Sequence, residues 1–222
     1  MGKIFVIMGP SCSGKDTLYK ELKDYYGNVL KSIVLHTTRP MRKGEVEGKT
    51  YYFINDEKFE EMQKNNEIAE YRLYDTVHGI WTYATASISI DLDNNDYLTI
   101  NTLEGYKSLK EYYGEDKIVP LYIQVDEDVR YARAEVREKQ QPKPDYDQME
   151  RRFKADSKDF SIEKRIEAGI PESNIFENNA NPADAGTWVP RLAIEFVRDQ
   201  MVAVIDEELN KELPKVQSKK IV

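Results

Sequence analysis

The chain opens on a nearly unbroken apolar run, Lys3-Ile4-Phe5-Val6-Ile7-Met8, and then turns abruptly to small and polar residues. A short continuous apolar run that meets a glycine loop predicts a strand buried on both faces, as in a parallel sheet. Comparable runs recur at Ser32–His36, Tyr97–Asn101 and Ile118–Val125, with a short last one at Ser173–Glu177. Helical spacing fills the intervals at Thr17–Tyr26, stopped by Gly27, and at Leu103–Tyr113, stopped by Gly114. Strands that alternate with helices predict a parallel sheet covered on both faces.

Two parts of the chain depart from this rhythm. In the first, Thr50–Ile54 and Glu67–Tyr74 read as strands around a short helix, Glu57–Lys64, with Asp56 as its cap. In the second, two strongly charged helices, Asp128–Lys139 and about Tyr146–Lys158, are separated by Pro142 and Pro144, which no helix interior accommodates. Pro190 then stands near the start of a long amphipathic helix expected to reach about Leu213, before a frayed tail over 214–222.

Composition narrows the function classes. A length of 222 residues with 40% hydrophobic content suits one well-buried globular domain. No apolar run approaches the roughly 20 residues needed to cross a bilayer, and Ile4–Met8 is too short for a signal-peptide core. No membrane association is therefore expected. The single cysteine, Cys12, forms no internal disulfide, so a reducing, cytoplasmic setting is the expectation. A net charge of −8 argues against a nucleic-acid partner and leaves a small phosphorylated ligand, held where basic residues concentrate.

One such place follows the first strand. Gly9-Pro10-Ser11-Cys12-Ser13-Gly14-Lys15 fits the G-x-x-x-x-G-K core of a phosphate-binding loop, with a buried strand before it and a helix after it. Glycines let backbone N–H groups turn inward around a polyphosphate, the helix N-terminus adds positive potential, and Lys15 reaches the outer phosphates. The expected ATP-binding set is Gly9, Ser11, Cys12, Ser13, Gly14, Lys15, Asp16 and Thr17. The motif ordinarily continues with Ser or Thr, whose hydroxyl holds Mg²⁺. Here Asp16 comes first and Thr17 second. Asp16 could hold Mg²⁺ through water, Thr17 could contact the α-phosphate, or the carboxylate could weaken phosphate binding.

A second basic cluster lies in His36-Thr37-Thr38-Arg39-Pro40-Met41-Arg42, which runs on through Gly44, Glu45 and Gly48 to Tyr51-Tyr52-Phe53. Two guanidinium forks three residues apart, with a proline stiffening the turn between them, can grip one phosphate bidentately. Tyr51 or Tyr52 could add a phenolic hydrogen bond.

With both loops in order, the chain resembles the guanylate kinase family. The resemblance covers roughly residues 3 to 160 and rests on the phosphate loop, the T-T-R-P-x-R-x-G-E-x-x-G-x-x-Y-x-F stretch, the Asp56–Met62 helix and Asn66-Glu67-Ile68-Ala69-Glu70-Tyr71. It implies a P-loop kinase fold: a three-layer α/β/α core with a parallel sheet (about 1–35, 96–135 and 160–213), a GMP-binding lobe (about 36–95) and a helical lid (about 136–158). It implies phosphorylation of GMP, and of dGMP, by ATP with Mg²⁺. Arg39, Arg42 and Tyr51 would hold the acceptor phosphate, and Glu70 would accept from guanine N1–H and the 2-amino group, two adjacent donors that suit a carboxylate. Tyr83 and Thr85, after a longer loop, stand for the family's Y-G-T/S segment. Asn101 stands where the family carries an aspartate pair, and Leu35 where it carries a small hydroxyl residue.

Four arginines flank the proline-broken segment: Arg133, Arg137, Arg151 and Arg152. Phosphoryl transfer needs fixed positive charge and exclusion of water, which an arginine-bearing lid supplies. Comparison with the family singles out Arg137 and Arg152, with Lys15, as the catalytic set. Three other readings share these features. They are a kinase of another monophosphate or of ribose 1,5-bisphosphate, a non-catalytic phosphopeptide-binding module, and a P-loop nucleoside triphosphatase with no acceptor.

Overall fold

The computed structural model describes residues 2–42, 44–76, 79–179 and 189–200. Strand β1 (Ile4–Met8) is the centre of the fold, with every residue fully buried. Parallel strands flank it on both sides in the order β2 (Leu30–Ser32), β7 (Asp96–Ile100), β1, β8 (Ile118–Gln124), β9 (Ile175–Glu177).

Side chains of a strand alternate between faces. Phe5 and Ile7 therefore enter one core with Leu18 and Leu22 of α1 (Lys15–Tyr26) and Ala193 and Val197 of α7 (Val189–Gln200). Ile4, Val6 and Met8 enter another, with Leu103, Tyr106 and Leu109 of α3 (Leu103–Tyr113). The result is the expected three-layer α/β/α arrangement. The Tyr26 hydroxyl, donating to the Ile194 carbonyl at 2.6 Å, ties α1 to α7.

A second sheet carries the middle of the chain, in the order β4 (Tyr52–Phe53), β3 (His36–Thr37), β6 (Gly79–Ala86), β5 (Ile68–Thr76). Here β5 and β6 pair antiparallel, β3 pairs antiparallel with β6, and β4 runs parallel to β3. Helix α2 (Asp56–Lys64) lies between β4 and β5 in sequence. Helices α4 (Glu127–Lys139) and α5 (Tyr146–Asp159) form the charged pair, and a short α6 (Ile162–Glu167) follows.

Several expectations are corrected. The run Ser32–His36 is not one strand. It splits between the two sheets, because β2 ends at Ser32 and β3 begins at His36. Asn55, not Asp56, caps α2, its side chain accepting from the Lys58 N–H at 2.9 Å. Helix α1 starts two residues early, at Lys15, directly out of the phosphate loop. Strand β6 and helix α6 lack a clean period and were not expected. Of the long C-terminal helix, the stretch after Gln200 and the tail over 214–222 lie outside the described residues.

Because β1 is locked from both faces, truncating Phe5 should be far more costly than changing an exposed apolar residue of the second sheet such as Leu73, which is 58% exposed. Phe5→Ala is expected to lower unfolding free energy by about 3–5 kcal/mol and Leu73→Ser by less than about 0.5 kcal/mol. Urea titration checks both through the shift in midpoint at unchanged slope.

Candidate active site

The phosphate loop leaves β1 at its carboxyl end, in the crevice between β7 and β8 where ligands of such sheets bind. Gly9 has φ +143°, and a Cβ there would stand 2.6 Å from the Ile123 carbonyl oxygen, so only glycine lets the loop turn this close to β8. Cys12 holds the left-handed region at φ 62°, a conformation costing a non-glycine residue about 1 kcal/mol or more. Gly14 then opens α1.

Several groups fasten the loop from outside. Arg133 of α4 donates to the Cys12 carbonyl at 3.4 Å and to the Asn178 carbonyl at 2.9 Å. The Asn178 side chain donates in turn to the Ser13 carbonyl at 2.8 Å. Lys15 folds back, its Nζ donating to the Pro10 carbonyl at 2.8 Å. Burial pushes the Lys15 ammonium below the usual lysine value, while Asp156 and Asp16 pull it back up. The Ser11 amide donates to the Asp156 carboxylate of α5 at 2.9 Å, so an anionic oxygen already touches the loop. Asp16 and Thr17 are both exposed in the first turn of α1.

Between the loop and the α4–α5 pair lies a cavity of about 780 Å³, whose lining includes Ser11, Cys12, Arg137, Glu138 and Arg152. The two arginines singled out from the sequence therefore face the phosphate loop across one cleft. Arg137 is exposed, and Arg152 lies 4.0 Å from the Glu138 carboxylate. Arg151 instead folds back along its own helix, Nε donating to the Asp147 carbonyl at 3.3 Å.

The second basic cluster is built differently from two free forks. Arg39 is 3% exposed and its guanidinium is fully engaged: Nη1 and Nη2 meet the Glu45 carboxylate at 3.0 and 2.7 Å, and Nε donates to the Tyr83 hydroxyl at 3.0 Å. Glu45 also accepts from the Arg42 amide at 2.7 Å, while the exposed Arg42 side chain lies over the Trp81 ring. Tyr51 stands 5.3 Å beneath the Arg39 guanidinium and packs edge-on against Tyr83. Arg39, Tyr51 and Tyr83 thus form one cationic, phenol-lined pocket, closed by a carboxylate where a phosphate of like charge could sit.

Farther along the same face of β5 and β6, Glu70 is buried at 4% exposure. Its Oε1 accepts from the Thr85 hydroxyl at 2.7 Å and from Asn101 Nδ2 at 3.1 Å, and its Oε2 has no hydrogen-bond partner. Asn101 fits against α3 only because position 105 is glycine: a Cβ there would stand 2.0 Å from Asn101 Oδ1. Arg72, two residues beyond Glu70, places Nε 3.3 Å from Oε2.

Comparison with known proteins identifies the family. The family model described as guanylate kinase matches residues 1–162. The chain belongs to the guanylate kinase family. A guanylate kinase of Clostridioides difficile is 40% identical over 111 residues, 50% of this chain and 53% of that protein. Another, from Lactiplantibacillus plantarum, is 45% identical over 73 residues, 33% of this chain and 35% of the relative. These alignments span about half or less of the relatives' length. The crystal structure of guanylate kinase from Anaplasma phagocytophilum superposes with a TM-score of 0.58 at 20% identity, covering 95% of this chain and 94% of that one, a likeness of fold.

The residues expected from the sequence therefore fall in two groups. Ser11, Cys12, Arg137 and Arg152 gather at the phosphate loop. Arg39, Tyr51 and Tyr83 meet on the second sheet, and two positions along β6 Thr85 meets Glu70, which Asn101 reaches from just beyond β7. Val77 and His78 of the longer loop, and Lys43 of the arginine stretch, lie outside the described residues. Glu45, Asp156 and Arg72 were not expected at these sites. Glu45 and Arg72 carried a usable signal, one standing within the arginine loop and the other on the Glu70 face by strand alternation.

Arg39 holds the Glu45 carboxyl below its ordinary value near 4.5, so the pair contributes stability above that pH and loses it as pH falls through the depressed value. Glu45→Ala leaves the buried guanidinium unpaired and is expected to cost about 2–3 kcal/mol at pH 7 in phosphate-free buffer. Inorganic phosphate should raise the variant's Tm more than the wild type's. Equal shifts would mean that Glu45 and phosphate do not share a place.

Proposed function

We propose that this chain transfers the terminal phosphoryl group of Mg-ATP to GMP, and to dGMP, as a guanylate kinase. The observation that carries the proposal is the pairing, on one family scaffold, of a G-x-x-x-x-G-K phosphate loop with a separate Arg39–Tyr51–Tyr83 cluster that leads to a Glu70 carboxylate oxygen without a hydrogen-bond partner. A nucleoside triphosphatase with no acceptor has no use for the second pocket.

In this reading residues 36–95 form the acceptor lobe and 136–158 the lid. The inward-turned amides and Lys15 hold the β- and γ-phosphates of ATP, and the α1 N-terminus adds positive potential. Binding requires the Ser11 amide to leave the Asp156 carboxylate. Asp16, an exposed hard-oxygen donor in the first turn of α1, is the residue that would hold Mg²⁺ through water, and the bound ion would neutralise charge on the phosphate oxygens. Arg39, Arg42 and Tyr51 take the acceptor phosphate as Glu45 withdraws. Closure of the α4–α5 pair brings Arg137 and Arg152 onto the transferring group and expels water. Since little covalent work falls to the protein, positioning and fixed positive charge carry the rate. Glu70 Oε2 accepts from guanine N1–H. The reaction suits a cytoplasmic enzyme, consistent with the lone Cys12. Among the described residues no helix is long and apolar enough to cross a membrane.

Coupled ADP-release assays over GMP, dGMP, AMP, CMP and UMP test the reading. GMP and dGMP should be turned over, and AMP rejected by about 10³-fold or more in kcat/KM, because adenine N1 meets the carboxylate with a lone pair. Equal rates with AMP would overturn the base assignment.

Two variants test the two phosphate sites. Lys15→Ala should lower kcat by about 10²-fold or more with the fold intact by circular dichroism. Arg42→Ala should raise KM for GMP at least about tenfold with little change in KM for ATP. Equal effects on both substrates would place Arg42 outside the acceptor site.

A further inference from the structure

One charged side chain on the acceptor face has no part in the reading above. Strand alternation sets Glu70, Arg72 and Tyr74 on one face of β5, and the register places Glu70 opposite Thr85 and Arg72 opposite Tyr83. Arg72 thus stands beside Tyr83, two positions along β5 from Glu70. It is 14% exposed, and its Nη1 donates to the Thr102 hydroxyl at 3.5 Å. Its Nε lies 3.3 Å from Glu70 Oε2, yet the N–H is not aimed at that oxygen. Both atoms are buried without a hydrogen-bond partner.

A buried donor and a buried acceptor, adjacent and both open, are costly unless a ligand satisfies the two together. Glu70 Oε1 is already engaged by Thr85 and Asn101, so the open edge is one N–H beside one carboxylate oxygen. Guanine offers the complement, with the O6 acceptor next to the N1–H donor. Adenine offers the reverse, an N6 donor next to the N1 lone pair, and clashes at both positions. Leu35, half-buried against the α3 side of the core, supplies no donor for O6.

We propose that Arg72 is a specificity-determining residue that reads the 6-oxo group of the acceptor base, donating from Nε to O6 while Glu70 Oε2 accepts from N1–H. The assignment rests on the guanylate kinase reading. Together the two side chains select bases with an oxo group next to a ring N–H.

A substrate–enzyme cycle tests it, with kcat/KM measured for GMP and 6-thio-GMP, whose sulfur is the weaker acceptor, on wild type, Arg72→Met and Arg72→Lys. Thermal melts confirm that each variant folds. Arg72→Met should lose about 10- to 100-fold with GMP, chiefly in KM, and less than about threefold with 6-thio-GMP. Arg72→Lys, which keeps a donor, should recover part of the preference for GMP. Equal losses on the two nucleotides would make Arg72 an electrostatic neighbour of Glu70 and overturn the assignment, as would no loss on either. A wild type that neither binds nor phosphorylates GMP would overturn the assignment together with the reading beneath it.

Discussion

The burial of β1 on both faces is the constraint from which the rest follows. All five of its residues are sealed, between parallel neighbours in the sheet and between two helical layers across it. A strand so held can deliver the chain to only one place, the crevice at its carboxyl end. Gly9 turns the chain there against the Ile123 carbonyl, and α1 starts at once. The phosphate loop is therefore a consequence of core packing: its amides, Lys15 and the helix N-terminus are aimed by the same contacts that hold the domain together.

The second sheet obeys a different economy. Its inner face carries Arg39, Glu70, Arg72, Tyr83 and Thr85, polar groups whose burial is tolerable only when they are paired. At one end a carboxylate of the chain itself satisfies Arg39, and at the phosphate loop Asp156 accepts from Ser11. In both places a protein anion stands beside groups suited to a phosphate. This keeps the donors partnered in the ligand-free protein, and in the proposed reading ligand binding exchanges one anion for another. Glu70 Oε2 and Arg72 Nε face each other at 3.3 Å as an ion pair, yet neither atom makes a hydrogen bond.

Much of this was legible in the sequence, for identifiable reasons. The continuous apolar runs announced β1, β7 and β8, and Leu103–Tyr113 was bounded correctly by its period and by Gly114. The phosphate loop and the arginine stretch are contiguous motifs, so their residues could be named in advance. What escaped depended on distance or on weak periodicity. The two-residue strands β3 and β4 are too short for a pattern, and β6 mixes tryptophan, tyrosine and threonine without clean alternation. Asp156 meets Ser11 across 145 residues, and Asn178 meets Ser13 across 165, contacts that no local pattern encodes. Arg72 was within reach, two positions beyond Glu70 on a strand, but its meaning depends on which carboxylate oxygen Thr85 and Asn101 leave open.

The central claim is that two separate phosphate-holding sites on this chain face a common transfer point. The most direct measurement is the affinity of a bisubstrate ligand, adenosine and guanosine joined through a pentaphosphate, set against ATP and GMP alone by titration calorimetry. Linking two occupied sites should give binding about 100-fold tighter than either mononucleotide. Lys15→Ala and Arg39→Ala should each remove that gain. A linked ligand that binds no more tightly than ATP, or that is indifferent to Arg39, would contradict the account.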